Sequence, residues 1–247
     1  MKKTFIVMLL LAPVVILAAD DIFELAGHGT PAEIRSALSQ GVDVNGKDSN
    51  GWTPLMHAAE LTMNPGVISA LYGAGARVGE KDAKGRTALI IAARSNSRPE
   101  VVSALSAAGE QVNAASTEGE TPLLAAAAGN SNPKVAALLL SAGATPNARN
   151  QTGMTPLMLA AMLNENRHMI TTLIAGGATA NERGPGGKTA LMYAAQFAAN
   201  PEVISALLVA GADRNARSDA GLTAWDYAKS NPNLVGTSVP KVLLPGK

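Results

Sequence analysis

One short motif returns along this chain at a fixed interval of 34 residues. It reads Thr-Pro-Leu, Thr-Ala-Leu or, in the last copy, Thr-Ala-Trp. A strict period of about 20–50 residues indicates a repeat array, in which each unit contacts only its neighbours. The copies extend over most of the 247 residues, so the chain has little room for a second domain. They begin at Thr53, Thr87, Thr121, Thr155, Thr189 and Thr223.

Each repeat carries the start signals of two helices. A Gly two residues before the Thr, such as Gly51, predicts a turn with positive φ, and the Thr is a good helix N-cap. Eleven residues after the Thr, Asn64-Pro65 and its equivalents predict a second helix. A Gly such as Gly75 predicts the end of that helix in a left-handed C-cap. The ten turn-rich residues that follow predict a two-stranded finger or an extended loop.

This unit resembles an ankyrin repeat. The resemblance rests on a Gly-x-Thr-Pro-Leu start, an Ala-Ala helix, a second helix, Gly-Ala and an Asp-Val-Asn-type hairpin, over about Asp20 to Ser230. It implies an all-α ankyrin-repeat solenoid of stacked helix-turn-helix units with β-hairpin or loop fingers. Tetratricopeptide repeats also have a 34-residue period, but their Trp-x-x-Leu-Gly-x-x-Tyr pattern is absent here.

The chain departs from the family at the fourth motif position, where ankyrin repeats normally have His. We expect apolar packing to replace the hydrogen bonds that this histidine makes between repeats. The residues at this position are Met56, Ile90, Leu124, Met158, Met192 and Asp226.

Residues 1–19 are predicted to be a secretory signal peptide. Lys2 and Lys3 precede an apolar run that ends in Ala18-Ala19, the order typical of such peptides. The run of 15 apolar residues is short against the roughly 17–25 that span a bilayer, so we expect no stable membrane anchor after cleavage. The chain has no Cys, which excludes disulfides and avoids stray oxidation outside the cytoplasm. The prediction is a bacterial periplasmic or secreted protein.

The repeats divide the remaining chain into units. We expect an ankyrin repeat domain at 20–230, with an N-terminal capping unit at 20–50 and a C-terminal capping unit from 221. Full repeats begin near 51, 85, 119, 153 and 187, and residues 231–247 are predicted to be an irregular tail. Terminal units of solenoids differ from the others because no neighbour covers their outer face.

The sequence predicts no enzyme, no metal site and no cofactor. His28, His57 and His168 lie far apart, and no phosphate-binding loop or Gly-x-Ser-x-Gly motif is present. Without Lys2 and Lys3 the net charge is −1, which gives no overall attraction to nucleic acid. The alternative function is small-molecule or metal handling in a groove lined by Met and aromatic residues, among them Met154, Met158 and Met162.

The resemblance also implies where a partner binds, because ankyrin arrays usually bind through the exposed side of the first helices and the finger tips. The helix positions lie four, seven and eight residues after each Thr, and those of the C-terminal half are apolar and aromatic. Such a patch is typical of an interface centre, although packing between repeats is the other interpretation. The candidate residues of this concave face are His57, Glu60, Leu61, Ile91, Arg94, Leu159, Met162, Leu163, Tyr193, Gln196, Phe197 and Tyr227.

A row of basic residues recurs at one position of the fingers. It is either a ladder for an acidic partner or part of the local chemistry of the fingers, which the neighbouring Asp residues favour. The candidate tip residues are Lys47, Asp48, Lys81, Asp82, Arg149, Arg183 and Arg217.

Together these features predict an exported, monomeric, non-enzymatic scaffold that binds another protein through its concave face and finger tips. Two kinds of partner are open at this point. One is a periplasmic enzyme or toxin that the scaffold stabilises or inhibits, and the other is a host protein.

Overall fold

A computed structural model gives the structure of the protein and describes residues 21–244. The predicted signal peptide, residues 1–19, lies outside the described residues. Two 3₁₀ turns, Pro185–Gly187 and Pro232–Leu234, accompany the α-helices. The helices are α1 Asp21–His28, α2 Pro31–Ser39, α3 Pro54–Leu61, α4 Pro65–Gly73, α5 Ala88–Ser95, α6 Pro99–Ala107, α7 Pro122–Gly129, α8 Pro133–Ser141, α9 Pro156–Leu163, α10 Arg167–Ala175, α11 Ala190–Phe197, α12 Pro201–Val209, α13 Ala224–Ala228 and α14 Val239–Val242.

The helices form two parallel layers. The odd-numbered helices α1 to α13 pack in sequence as the first layer, and the even-numbered helices α2 to α12 pack as the second. Adjacent alanines of the first layer, such as Ala92 and Ala93, are fully buried. Because alanine adds so little bulk, neighbouring helices approach closely, and apolar residues of the second layer, such as Leu105, complete the core. The predicted all-α solenoid is confirmed.

The predicted start signals are where the helices begin. The hydroxyl of Thr53 accepts a hydrogen bond from Met56 N–H at 3.4 Å, and Thr155 does the same from Met158 at 3.3 Å. Such an N-cap stabilises a helix by about 1 kcal/mol. Thr189 also precedes its helix, but its hydroxyl is buried and has no hydrogen-bond partner.

Glycine is needed before the Thr for two reasons. Gly85 and Gly119 have φ of 71° and 74°, in the left-handed region that side chains disfavour. A Cβ atom at Gly85 would also lie 2.8 Å from the backbone nitrogen of Thr117, and one at Gly119 would lie 2.9 Å from that of Gln151. The next finger therefore packs directly against these glycines.

The fingers are loops, and no β-strand is formed within residues 21–244. Each finger is built from two turns, as in the first one, where Gly46 N–H bonds to Asp43 O and Gly51 N–H bonds to Asp48 O. Of the two predicted forms of the finger, the structure therefore has the loop. Side chains, rather than a backbone ladder, make most of the hydrogen bonds from one finger to the next.

Buried asparagines link the repeats at the end of the first helices. The side-chain amide of Asn130 donates to the carbonyls of Ala93 and Asn96 in the preceding repeat, at 2.9 and 3.0 Å. Asn96, Asn164 and Asn231 do the same in their own repeats. The apolar residues at the fourth motif position are buried, as expected, whereas Asp226 is not, and amide hydrogen bonds also cross between repeats.

Within the predicted tail, residues 231–247, the structure has the 3₁₀ turn Pro232–Leu234 and the short helix α14. The side chains of Leu234 and Leu243 are fully buried, and α14 packs against α12. These residues cover the end of the last repeat as far as residue 244. Among the described residues, no helix combines the length and apolar character that crossing a membrane requires.

Candidate functional site

The C-terminal half of the first helix layer exposes an apolar surface. Leu163 at the end of α9 is 54% exposed and Phe197 at the end of α11 is 48% exposed. The two residues occupy the same position in adjacent repeats, eight residues after the Thr. Leu159 and Met162 of α9 are half-buried beside them. We call these four residues the apolar patch.

A lysine and two tyrosines lie on the repeat of α11 and on the C-terminal unit that follows it. The Nζ atom of Lys188 lies 4.5 Å from the ring centroid of Tyr227 and 5.6 Å from that of Tyr193. It also donates a hydrogen bond to Oε1 of Gln196 at 2.8 Å, and the hydroxyl of Tyr227 bonds to Oγ of Ser218 at 3.1 Å. Attraction between the cation and the rings, together with these bonds, fixes the lysine. The positive charge of Lys188 is therefore fixed in position on this half of the face.

Two predicted face residues are buried. Ile91 is 2% exposed and Tyr193 is 6% exposed, so neither is available for contact with a partner in this structure. The hydroxyl of Tyr193 donates to the carbonyl of Pro185 at 3.3 Å. Burial and the nearby Tyr227 raise the pKa of Tyr193. For these two residues, packing between repeats is the correct interpretation.

The N-terminal half of the face is polar and aromatic. The ring of His57 lies 5.3 Å, centroid to centroid, from Phe23 and also from Trp52. Its Nε2 atom lies 3.0 Å from Oδ2 of Asp48. Burial opposes ionisation of Asp48, but hydrogen bonds from Trp52 N–H and His57 keep its pKa below the usual value. His57 and the tip residue Asp48 are thus fixed by each other.

The remaining predicted residues of this half differ in exposure and in pairing. Arg94 of α5 forms an ion pair with Glu120, while Glu60 is half-buried and Leu61 is 41% exposed. A cavity of about 470 Å³ lies beside His57, between the first two fingers, and is lined by polar and aromatic side chains. Its walls are Asp48, Asn50, Trp52, His57, Glu60, Asp82, Ala83, Lys84 and Arg86.

The basic residues of the fingers bond to the next finger rather than project freely. Lys81 Nζ donates to the carbonyl of Ala115 at 3.0 Å, and Arg183 donates to that of Arg217 at 2.7 Å, each 34 residues further along. Arg149 bonds in the same way to the carbonyl of Arg183. These bonds favour the interpretation that the ladder is part of the finger chemistry.

Three other tip residues are also paired, Lys47 with the next finger and the other two within their own fingers. Lys47 forms an ion pair with Glu80 at 3.0 Å, and Arg217 donates to the carbonyl of Gly221 at 2.8 Å. Asp82 is 8% exposed and pairs with Arg86 at 2.7 Å. The tip residues therefore hold the fingers in register before any partner binds.

Sequence reasoning missed face residues that share one repeat position. Trp52, Arg86 and Lys188 each stand immediately before the Thr of their repeat and line the face beside the predicted helix positions. Their variation from repeat to repeat is the signal that could have identified them, because structural positions of this chain vary little.

Of the three methionines predicted to line a groove for small molecules or metals, only one lies on the face. Met154 is 6% exposed and Met158 is 1% exposed, so both belong to the core and only Met162 reaches the face. Within residues 21–244, no group of three His, Cys, Asp or Glu side chains is arranged to hold a metal ion.

Comparison with known proteins identifies the family. A family profile described as ankyrin repeats (3 copies) matches residues 62–150 and 124–218, which together are more than half of the chain. A comparison with curated proteins found no match. Ankyrin repeats generally mediate protein–protein interaction and are typically non-enzymatic. Because the family profile matches more than half of the chain, the chain belongs to the ankyrin repeat family.

Proposed function

We propose that this protein is a binding scaffold that holds another protein against the apolar patch. The observation that carries the proposal is the exposure of Leu163 and Phe197 at equivalent positions of neighbouring repeats. Large apolar side chains that stay exposed side by side are typical of interaction sites, and aromatic residues dominate binding energy at interface centres. The half-buried Leu159 and Met162 extend the same surface.

The fixed shape of the solenoid supports binding rather than catalysis. The Asn hydrogen bonds and the finger contacts hold both sides of the face in place before a partner arrives. A preorganised surface loses little conformational entropy on docking, which favours affinity. Lys188 bonds to Gln196, the residue before Phe197, so a partner with an acidic group next to an apolar one fits this half of the face best.

We also propose that the protein works outside the cytoplasm as a monomer. The charged and apolar order of residues 1–19 supports export, and the Cys-free sequence suits an oxidising compartment. The partner is then a periplasmic enzyme or toxin that the scaffold stabilises or inhibits, or a host protein. N-terminal sequencing of the protein recovered outside the cytoplasm should give a start near Asp20. Recovery of the form that begins at Met1 in the cytoplasm alone contradicts export.

The binding proposal is tested by affinity capture from the native compartment, with the exported form as bait. The variant with both Leu163→Ser and Phe197→Ala should lose its partner, because truncation of a central anchor costs about 2 kcal/mol or more. The matched control is Tyr72→Ala with Val209→Ala, which truncates two exposed apolar residues of the second helix layer. The control should capture as the wild type does, and both variants should keep their helical circular dichroism. Equal capture by the patch variant contradicts the proposal.

A further inference from the structure

An asparagine carboxamide bridges successive fingers at four places. In the first finger, Asn45 donates from Nδ2 to the carbonyl of Gly75 at 3.1 Å and accepts from Arg77 N–H at 2.8 Å. The glycine follows the C-cap residue of the second helix, and the N–H belongs to the residue two positions later. Asn113, Asn147 and Asn181 make the same pair of bonds in their own fingers. The glycine carbonyl and the N–H two residues later therefore form a binding site for one primary carboxamide.

The second finger lacks this carboxamide because Gly79 stands in the place of the Asn. Gly79 has a φ of 79°, and a Cβ atom built on it meets nothing within 4 Å. Opposite it stand the carbonyl of Gly109 and the N–H of Gln111, which are equivalent to the bridged groups of the other fingers. A cavity of about 470 Å³ is lined by Gly79, Gly109 and Gln111. The backbone acceptor and donor of this site are thus present, but position 79 supplies no carboxamide to them.

A second departure from the repeat lines the same cavity. Glu110 stands where the other repeats have a buried Ala, as at Ala76 and Ala144. Glu110 is only 6% exposed; Leu89 N–H donates to its Oε2 at 3.1 Å, and its Oε1 has no hydrogen-bond partner. Buried polar atoms are nearly always hydrogen-bonded, so this oxygen calls for an explanation. A carboxamide has two N–H donors. In the four sites filled by an Asn, which we call the sister sites, only one of these donors bonds to the glycine carbonyl.

We propose that the gap at Gly79 is a binding site for a primary carboxamide, supplied by an Asn or Gln side chain of a protein partner. The carboxamide oxygen accepts from Gln111 N–H, one amide hydrogen bonds to Gly109 O, and the other is directed to Glu110. Only the source of the group rests on the proposed scaffold function. The recognition chemistry follows from the four sister sites of the same chain.

The test titrates the full mature chain with acetamide while the backbone amide signals are followed by NMR. Acetamide carries the primary carboxamide alone, and methyl acetate, which has a similar shape and no N–H donor, is the matched control. The Gln111 amide signal should shift with acetamide and not with the ester. The Thr145 signal should stay in place, because Asn113 already fills that site. Absence of a selective shift at Gln111, or an equal shift with the ester, overturns the proposal.

Two variants, each measured in folded protein, close the proposed site and open an equivalent one. Gly79→Asn should supply the carboxamide within the chain and abolish the Gln111 response, since the four bridging asparagines all have negative φ and the space beside Gly79 is open for the finger to adopt it. Asn113→Gly should open a second site and make the Thr145 signal respond to acetamide. A Gln111 response that survives Gly79→Asn in a folded protein overturns the proposal, as does a Thr145 signal that stays unresponsive in folded Asn113→Gly. Neither result depends on the apolar patch or its partner.

Discussion

Replacement of Asn130 by Ala should destabilise the middle of the solenoid. The Asn130 side chain is 2% exposed and makes three hydrogen bonds. Its amide donates to the carbonyls of Ala93 and Asn96 at 2.9 and 3.0 Å, and its oxygen accepts from Asn132 N–H at 2.9 Å. Alanine removes all three and leaves the partner groups behind. Because a net hydrogen bond contributes about 0.5–1.5 kcal/mol, we expect a loss of about 1.5–4.5 kcal/mol.

Urea unfolding followed by far-UV circular dichroism measures this loss. Hydrogen exchange localises it, because unfolding of a repeat array need not be all-or-none. Protection should fall first in α5 and α7, whose repeats the amide joins. Asn233→Ala is the matched control, since the Asn233 side chain is exposed and its loss should change stability by less than about 0.5 kcal/mol. If Asn130→Ala also stays within about 0.5 kcal/mol of wild type, the reasoning is refuted.

Three further substitutions test other parts of the structure by urea unfolding. Burial raises the pKa of Glu110 in the folded state, and the hydrogen bond from Leu89 N–H only partly offsets this. The charged form therefore opposes folding as pH rises. Glu110→Ala should therefore add about 1–3 kcal/mol at pH 7, and progressively less as pH falls through the raised folded-state pKa toward the unfolded pKa; a difference independent of pH contradicts this. Hydrogen bonds from Thr223 N–H, and then from Lys229 and the Thr223 hydroxyl, lower the pKa of Asp226 to about 2, so its stabilisation is present above the unfolded pKa and is lost as pH falls toward 2. Asp226→Ala should cost about 1 kcal/mol at pH 7 as a lost cap and nothing near pH 2, and an equal cost at both pH values would argue against the cap. Arg183→Met removes an exposed ion pair and a bond to the next finger, and should cost less than about 1 kcal/mol; a larger cost means the ladder is a main source of stability.

The helices could be predicted from the sequence because their signals are local. A Thr N-cap with Pro after it, or a Gly with positive φ, acts within one turn of the backbone and needs no knowledge of the neighbours. Thr53 and Gly75 therefore mark helix boundaries correctly. The sequence does not decide between the loop and the two-stranded form of the fingers, because the fingers bond to the following repeat, as Asn45 does.

The face was predicted less completely, because exposure depends on contacts across repeats. Ile91 and Tyr193 occupy the same repeat position as His57 and Leu159, yet both are buried while the other two are half-buried. Which side chain is covered is decided by the residues of the adjacent repeats, and the helical pattern of a single repeat does not contain this information. The buried bonds of Asn130 were missed for the same reason.

Site-specific photocrosslinking in the living cell tests the central claim, that the apolar patch is the surface that holds a partner. A photoreactive phenylalanine derivative is placed at Phe197, or at Val209 as the control, which is 91% exposed on the second helix layer. The account predicts one discrete crosslinked protein from position 197 and none from position 209. The same product from both positions, or none from position 197, would contradict it.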